Sequence, residues 1–269
     1  MTDTDSKPER YVRPPSAESL GEAPGRGRLK GRRVLIVGGG QRVFDAATDP
    51  VGNGRAMSLL FAREGAHVAV ADLNRASAED TVARIGAEGG RAFAIAADVT
   101  READVVRMIE AAHQTMGGLD GMVLNIGTFG KTGLDNVSAE EWNRIYDVNV
   151  RGPMLCCRAA LPKFEDDGSI VFISSIAALK AGSQMAVYDS SKAALGGLMR
   201  NIAQLGTRRG IRANLVYPGL VDTPNGREAG AGRPSRGKGH IPFGRQATAW
   251  EIAYAVLFFM SDESAYVTA

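Results

Sequence analysis

Residues Val34 to Met57 read VLIVGGGQRVFDAATDPVGNGRAM. Four apolar residues run directly into Gly38-Gly39-Gly40, and a second glycine pair, Gly52-Asn53-Gly54, opens a helix that begins Arg55-Ala56-Met57. A strand ending in a glycine turn at a helix start is a cradle for a pyrophosphate. Glycines let the backbone approach the phosphates, and the first turn of the helix offers unpaired N–H groups and the positive end of its dipole. The spacing departs from the compact form. A Gly-x-x-x-Gly-x-Gly turn would place the second glycine four residues after Gly38, whereas Gly52 lies fourteen after, an excess of ten that makes Gln41 to Val51 read as an insertion. Alone, these glycines would equally describe a mobile surface loop.

The next apolar run decides between the two. It ends Val70-Ala71-Asp72, which sets a carboxylate eighteen residues past Gly54, where it can accept hydrogen bonds from an adenosine ribose. A carboxylate there repels a 2′-phosphate and so favours NAD over NADP, although the Arg75 guanidinium close by works in the opposite direction. Further runs follow at Phe93 to Ala96, Met122 to Leu124, Ile170 to Ile173 and Ala213 to Tyr217, with room for a helix between each. That alternation predicts an α/β fold with a parallel sheet wrapped on both faces, because parallel strands need crossovers long enough to hold a helix.

Bulk properties agree with one such domain. The chain has 269 residues, 44% of them hydrophobic, and a net charge of +2 that demands no polyanionic partner, so no nucleic acid is expected. Cys156 and Cys157 are adjacent and cannot staple distant segments, which points to packing in a reducing, cytoplasmic setting. No membrane-length apolar stretch, secretion signal or metal-ligand spacing is evident. Residues 1–30 are rich in Pro, Gly and charge and are expected to form a disordered tail, leaving 31–269 as a single dinucleotide-binding domain.

The chemistry-bearing feature is Tyr188-Asp189-Ser190-Ser191-Lys192. On a helix, positions four apart share a face, so a phenol and an ammonium can enter one cleft. A free tyrosine titrates near 10, and a nearby cation lowers it towards a value useful for proton transfer in both directions. Six tyrosines and seven lysines in 269 residues would give about 0.16 such pairs by chance, so the pair takes its meaning from its neighbours. Ser175 stands thirteen residues upstream of Tyr188, and Asn149 further back. Ser138 with Glu141 predicts a capping box for a helix running through Trp142, Ile145 and Tyr146. Pro153 should interrupt that helix and free the Asn149 carbonyl for a water.

Taken in order, the split glycine loop, Asp72, Ala97-Asp98-Val99, Leu124-Asn125-Ile126-Gly127, Asn149, Ser175, Tyr188, Lys192 and Tyr217-Pro218-Gly219 resemble the classical short-chain dehydrogenase/reductase family over about Gly31 to Ala269. The resemblance implies a Rossmann-type doubly wound sheet of order 3-2-1-4-5-6. It also implies hydride transfer between a nicotinamide cofactor and a secondary alcohol or ketone. Tyr188 would be the acid or base, Lys192 would tune it and bind the nicotinamide ribose, Ser175 rather than Ser174 would hold the substrate oxygen, and Asn149 would carry a proton-relay water. Gly38, Gly39, Gly52, Asn53 and Gly54 would meet the phosphates. Asp98 and Val99 would border the adenine, Asn125 would support the sheet, Gly127 would let the cofactor pass, and Pro218, Gly219, Val221 and Thr223 would meet the nicotinamide amide and phosphates. The family also implies a homodimer or homotetramer.

Residues 223–245, with five Lys and Arg against Glu228 (a difference of +4), would be the substrate lid, and their charge favours an anionic hydroxy or keto substrate. His240 lies within it. Two departures stand out. Gln41 to Val51 obscure which glycines meet the phosphates, with Asp45 and Asp49 read as solubilising that loop, and the chain stops at Ala269 where the family adds a seventh strand. They leave room for a rival, a nucleotide-binding regulatory or scaffold protein that keeps the fold without turnover. An epimerase or dehydratase would need a longer substrate domain.

Overall fold

The computed structural model describes residues 11–180, 183–231 and 241–269. Strands β1 (Arg33–Val37), β2 (His67–Asp72), β3 (Arg91–Ala96), β4 (Leu119–Leu124), β5 (Phe164–Ile173) and β6 (Arg212–Val216) form one sheet in the order β3-β2-β1-β4-β5-β6, with every pairing parallel. This is the doubly wound topology expected, and the order reverses between β1 and β4, where such folds bind nucleotides.

The strands alternate their side chains between two cores, as the two-residue period requires. Val34 and Ile36 of β1 pack with Val68, Val70 and Val123 beneath α2 (Asn53–Arg63), α3 (Arg75–Ala87) and α9 (Ala249–Met260). Leu35 and Val37 point the other way, to Met122, Leu124 and Phe172 under α4 (Glu102–Met116), α6 (Gly152–Ala160) and α7 (Ala186–Gly206). Cys156 and Cys157 are unbridged and wholly buried in this second core, where burial pushes the Cys156 thiol up to about 12. Trp250 lies in the first core, capped by the Arg63 guanidinium 4.9 Å from its ring.

The leader contradicts expectation. From Tyr11 onward the described residues are tied to the domain at a few buried points, although most of them stay exposed. Ser16 and Ser19 form a capping box around α1 (Ala17–Leu20), the only helix turn in the leader among the described residues, and Ala23 and Leu29 are buried. The Ser19 hydroxyl donates to Glu251 Oε1 (3.0 Å) and its carbonyl accepts from Thr248 Oγ1 (2.6 Å). A few well-placed anchors outweigh a polar average composition, because each polar group they order finds a partner. Residues 1–10 lie outside the described residues.

Between β6 and α9 the chain makes β7 (Val221–Asp222), α8 (Pro224–Ala231) and β8 (Ala247–Thr248). β7 and β8 pair in parallel and tie together the two ends of the expected lid. Its centre, with His240, falls outside the described residues. Glu251 fixes the second end. It accepts a fork from Arg245 (2.6 and 2.8 Å) and the Thr248 N–H (2.9 Å), and these hold its carboxyl down at about 2. The last residues run back beside β6, where Ala269 N donates to Ala213 O (3.0 Å) and Asn214 Nδ2 to Val267 O (2.8 Å).

Candidate active site

A cleft of about 1250 Å³ opens at the carboxyl ends of the strands, centred on the β1/β4 switch. Its floor is the glycine cradle, which survives the insertion. Gln41 Oε1 accepts from Gly52 N (2.8 Å) and its Nε2 donates to Pro50 O (3.2 Å), so the extra residues leave and return at one neck. Gly38 adopts φ +81, and a side chain at Gly54 would fall on the Gly38 carbonyl oxygen, so the two halves of the motif are in contact although sixteen residues separate them. Asn125 Nδ2 donates to Gly38 O (2.8 Å) and so braces the glycine turn.

Gly39 corrects the sequence reading. It faces inward, its N–H goes to Ala71 O (3.0 Å), and a side chain there would meet Val70 at 2.9 Å. It does not line the cleft, whereas Gly38, Gly40, Gly52, Asn53 and Gly54 do. A strand turning into its glycine loop must bury one residue of the turn, and the run of three does not reveal which. The insertion is also ordered internally. Asp49 Oδ2 accepts from the N–H groups of Phe44 and Asp45, and Asp45 accepts from Ala47 N and Thr48 Oγ1. Both carboxylates therefore build the loop as well as solubilise it.

Helix α2 begins beyond Gly52 with no side-chain cap, and the buried Asn53 Oδ1 has no hydrogen-bond partner among the described residues. Uncapped N–H groups beside an orphaned buried acceptor are groups that a ligand must satisfy. A dinucleotide fits them, since it brings phosphate oxygens for the first and hydroxyl or amide donors for the second.

At the adenosine end, Asp72 accepts from Gly40 N and Asn74 N (3.0 Å each), which holds its carboxylate at the cleft wall. Arg75 turns away to Glu79 (2.8 Å) and is absent from the lining. Asp98 accepts from the N–H and hydroxyl of Thr100, and Val99 packs on Gly152, where a side chain would meet it at 2.9 Å.

At the other end α7 delivers Tyr188 and Lys192. Lys192 is 4% exposed, and its Nζ donates to Ile126 O (2.9 Å) and Ile173 O (3.0 Å) and stands 5.9 Å from the Tyr188 ring centroid. Burial pushes its ammonium down to about 8. Gly127 passes directly over it, and a side chain there would sit 3.0 Å from Nζ. Ser175 lines the cleft with its Oγ accepting from Ala177 N (3.2 Å), while Ser174 is buried and donates to Lys192 O (2.8 Å). The two neighbours thus divide the work: one faces the cleft and the other anchors the lysine's helix turn. Pro218, Gly219, Val221 and Thr223 complete the wall, and Thr223 Oγ1 accepts from Gly226 N (3.0 Å) at the start of α8.

Asn149 is wholly buried and does not line the cleft. Oδ1 accepts from Thr128 N, and Nδ2 donates to Thr128 O and Ser191 Oγ, all within 2.9 Å, so the side chain ties the loop after β4 to α7. Pro153 does not break the helix. The chain passes from α5 (Ala139–Tyr146) through a π turn (Asp147–Arg151) into α6, with Gly152 N donating to Asp147 O. Pro153 sits in the first turn of α6 and has no N–H to offer the Asn149 carbonyl, so the interruption takes the form of a π turn. Only half of the capping box at Ser138 forms, because Glu141 Oε1 accepts instead from Lys131 N (3.1 Å).

Gln41, Arg42, Asn74 and Asn225 also line the cleft and were not singled out. They carry no local signal, since each is placed by residues distant in sequence.

Comparison with known proteins agrees with this geometry. A family model described as enoyl-(acyl carrier protein) reductase matches residues 47–269, starting within the insertion. The 2-(S)-hydroxypropyl-CoM dehydrogenase 3 of Xanthobacter autotrophicus is 36% identical over 90% of this chain and 94% of its own length. The chain belongs to the short-chain dehydrogenase/reductase family. A short-chain dehydrogenase/reductase from Burkholderia xenovorans superposes with a TM-score of 0.82 at 30% identity, covering 90% of this chain and 94% of that one. A short-chain dehydrogenase from Burkholderia cenocepacia, solved with NADP, gives 0.78 at 30% identity, covering 90% and 95%. This short-chain dehydrogenase is an NAD(P)-dependent oxidoreductase, and the comparisons favour that reading over a scaffold without turnover. No helix among the described residues is long and apolar enough to cross a membrane.

Proposed function

We propose that the chain interconverts a secondary alcohol and its ketone with NAD as the preferred cofactor. A bound nicotinamide dinucleotide supplies the site that accepts or gives the hydride. The chain supplies proton transfer, orientation and binding. Tyr188 exchanges the proton of the substrate oxygen, and Ser175 donates a hydrogen bond to that oxygen. Lys192 holds positive charge beneath the phenol and a donor towards the nicotinamide ribose. Asn149 has Pro153 at the position that would supply its α-helical donor, and it is assigned the water that refills the relay behind Lys192.

The observation that carries this reading is the convergence of Tyr188, Lys192 and Ser175 in one cleft with the glycine cradle. The NAD preference rests on Asp72, held at the wall by two backbone N–H groups, with Arg75 turned away. The described lining includes Arg42, Arg144 and Lys180, and its only carboxylates are Asp72 and Asp98 near the adenosine end, which supports an anionic substrate. The exposed surfaces of α5 to α7 are the expected dimer contact, and a cytoplasmic location is inferred from the composition.

The test is a screen of hydroxy compounds (hydroxy acids, polyols, steroids, cyclic diols, hydroxyacyl thioesters) that follows NADH formation, run beside Tyr188→Phe. We expect the variant to lose at least about a thousand-fold in turnover, within the usual range for general acid–base groups, while NADH affinity stays within about two-fold. Normal turnover by the phenylalanine variant would overturn the assignment.

A further inference from the structure

The insertion Gln41 to Val51 takes no part in the chemistry assigned above, yet it is a built element with its own neck and internal hydrogen bonds. Its near end supplies Gln41 and Arg42 to one wall of the cleft, and α8 supplies Asn225, Gly226 and Ala229 to another. Two bridges join these walls. Arg42 NH1 meets Glu228 Oε2 at 3.1 Å, and Arg227 NH1 donates to Thr48 O at 2.8 Å. Arg227 is fixed for that reach by a fork to Asp222 of β7 (2.7 and 2.9 Å), at the base of the lid, and the Arg42 guanidinium lies 5.1 Å from the Phe44 ring centroid.

We propose that the insertion is a clasp over the cofactor. By joining the glycine loop to the lid helix, Arg42–Glu228 and Arg227–Thr48 make cofactor release wait for two bridges to open. The element that separates the glycines in sequence thereby becomes the element that retains the dinucleotide. The inference rests on the proposed cofactor site and adds a kinetic property that the family fold does not require. Both bridges are solvent-exposed ion or charge-assisted contacts, so they are individually weak, sensitive to salt, and suited to opening once per turnover.

The experiment measures NADH release by stopped-flow displacement, following cofactor fluorescence, in the wild type, Arg227→Ala, Glu228→Gln and the double variant Arg227→Ala/Glu228→Gln. Glu228→Gln breaks one bridge while leaving the Arg42 charge in place, so any direct pull of Arg42 on a phosphate is unaffected. We expect release to quicken by about two- to three-fold in each single variant and by about five- to ten-fold in the double variant at low salt. Raising NaCl should speed release from the wild type and leave the double variant nearly unchanged. Equal release rates in all four proteins would overturn the clasp and leave the proposed function standing. A folded wild type that binds neither NADH nor NADPH would overturn the proposed function, and the clasp with it.

Discussion

Replacing Lys192 by methionine separates what the lysine costs the fold from what it gives the site. Its ammonium is held at about 8 rather than the ordinary 10.5 because it is buried. At about 1.36 kcal/mol per pH unit, that difference amounts to roughly 3 kcal/mol against the folded state at pH values where both states are protonated. The sign follows from proton counting. Between about pH 8 and 10.5 the unfolded lysine keeps its proton while the folded one has released it, so stability rises with pH in that window, and below about 8 the full cost is present. Methionine removes the cost but leaves the carbonyls of Ile126 and Ile173 without their donor, at about 1 to 3 kcal/mol each. The two effects nearly cancel at pH 7, so Lys192→Met should fold with close to wild-type stability while losing turnover. Urea unfolding of both proteins at pH 7 and pH 10 checks this. The wild type should gain roughly 2 to 3 kcal/mol on the variant between those values, because every other titrating group is common to both. A stability difference that stays flat across that range would refute the claim that burial holds the ammonium down.

Three other outcomes follow from the geometry. Gly54→Ala puts a methyl on the Gly38 carbonyl oxygen and 2.9 Å from Asn125 Nδ2, so the cradle must spread; isothermal titration should show NADH affinity falling at least about ten-fold, and unchanged affinity would contradict the cradle. Asp72→Ala should erode a preference for NAD over NADP in kcat/KM by about ten-fold or more, and a wild type that strongly prefers NADPH would count against the role of Asp72. Glu251→Gln weakens the Arg245 fork and should cost about 1 to 2 kcal/mol at pH 7 in denaturant titrations. Because Glu251 is depressed to about 2, that wild-type advantage is present above about pH 4.5 and fades as pH falls towards 2; an advantage independent of pH in that interval would exclude the ionised fork as its source.

The fold was legible because buried parallel strands are continuous apolar runs, and β1, β2 and the second half of β5 announce themselves that way. Tyr188 and Lys192 were legible for a local reason too, since a helix brings positions four apart together without help from distant residues. Gly39 was misplaced in detail, because which residue of a glycine turn faces inward depends on Val70 and Ser58, which are not sequence neighbours. The leader was misread for the same reason at greater range. Ser19 and its partner Glu251 are 232 residues apart, and no composition average over thirty residues registers a contact of that kind.

That contact joins the leader to β8 and the start of α9, just beyond the segment expected to form a lid. Arg13 donates through its N–H to Phe243 O (3.1 Å) and accepts from Arg245 Nε (2.9 Å), while Ser19 completes the Glu251 site. One set of bonds therefore holds the leader to the residues around β8 and α9. A chain trimmed to the first strand would keep Tyr188, Lys192 and Ser175 while leaving Glu251, Phe243 and Arg245 without these partners.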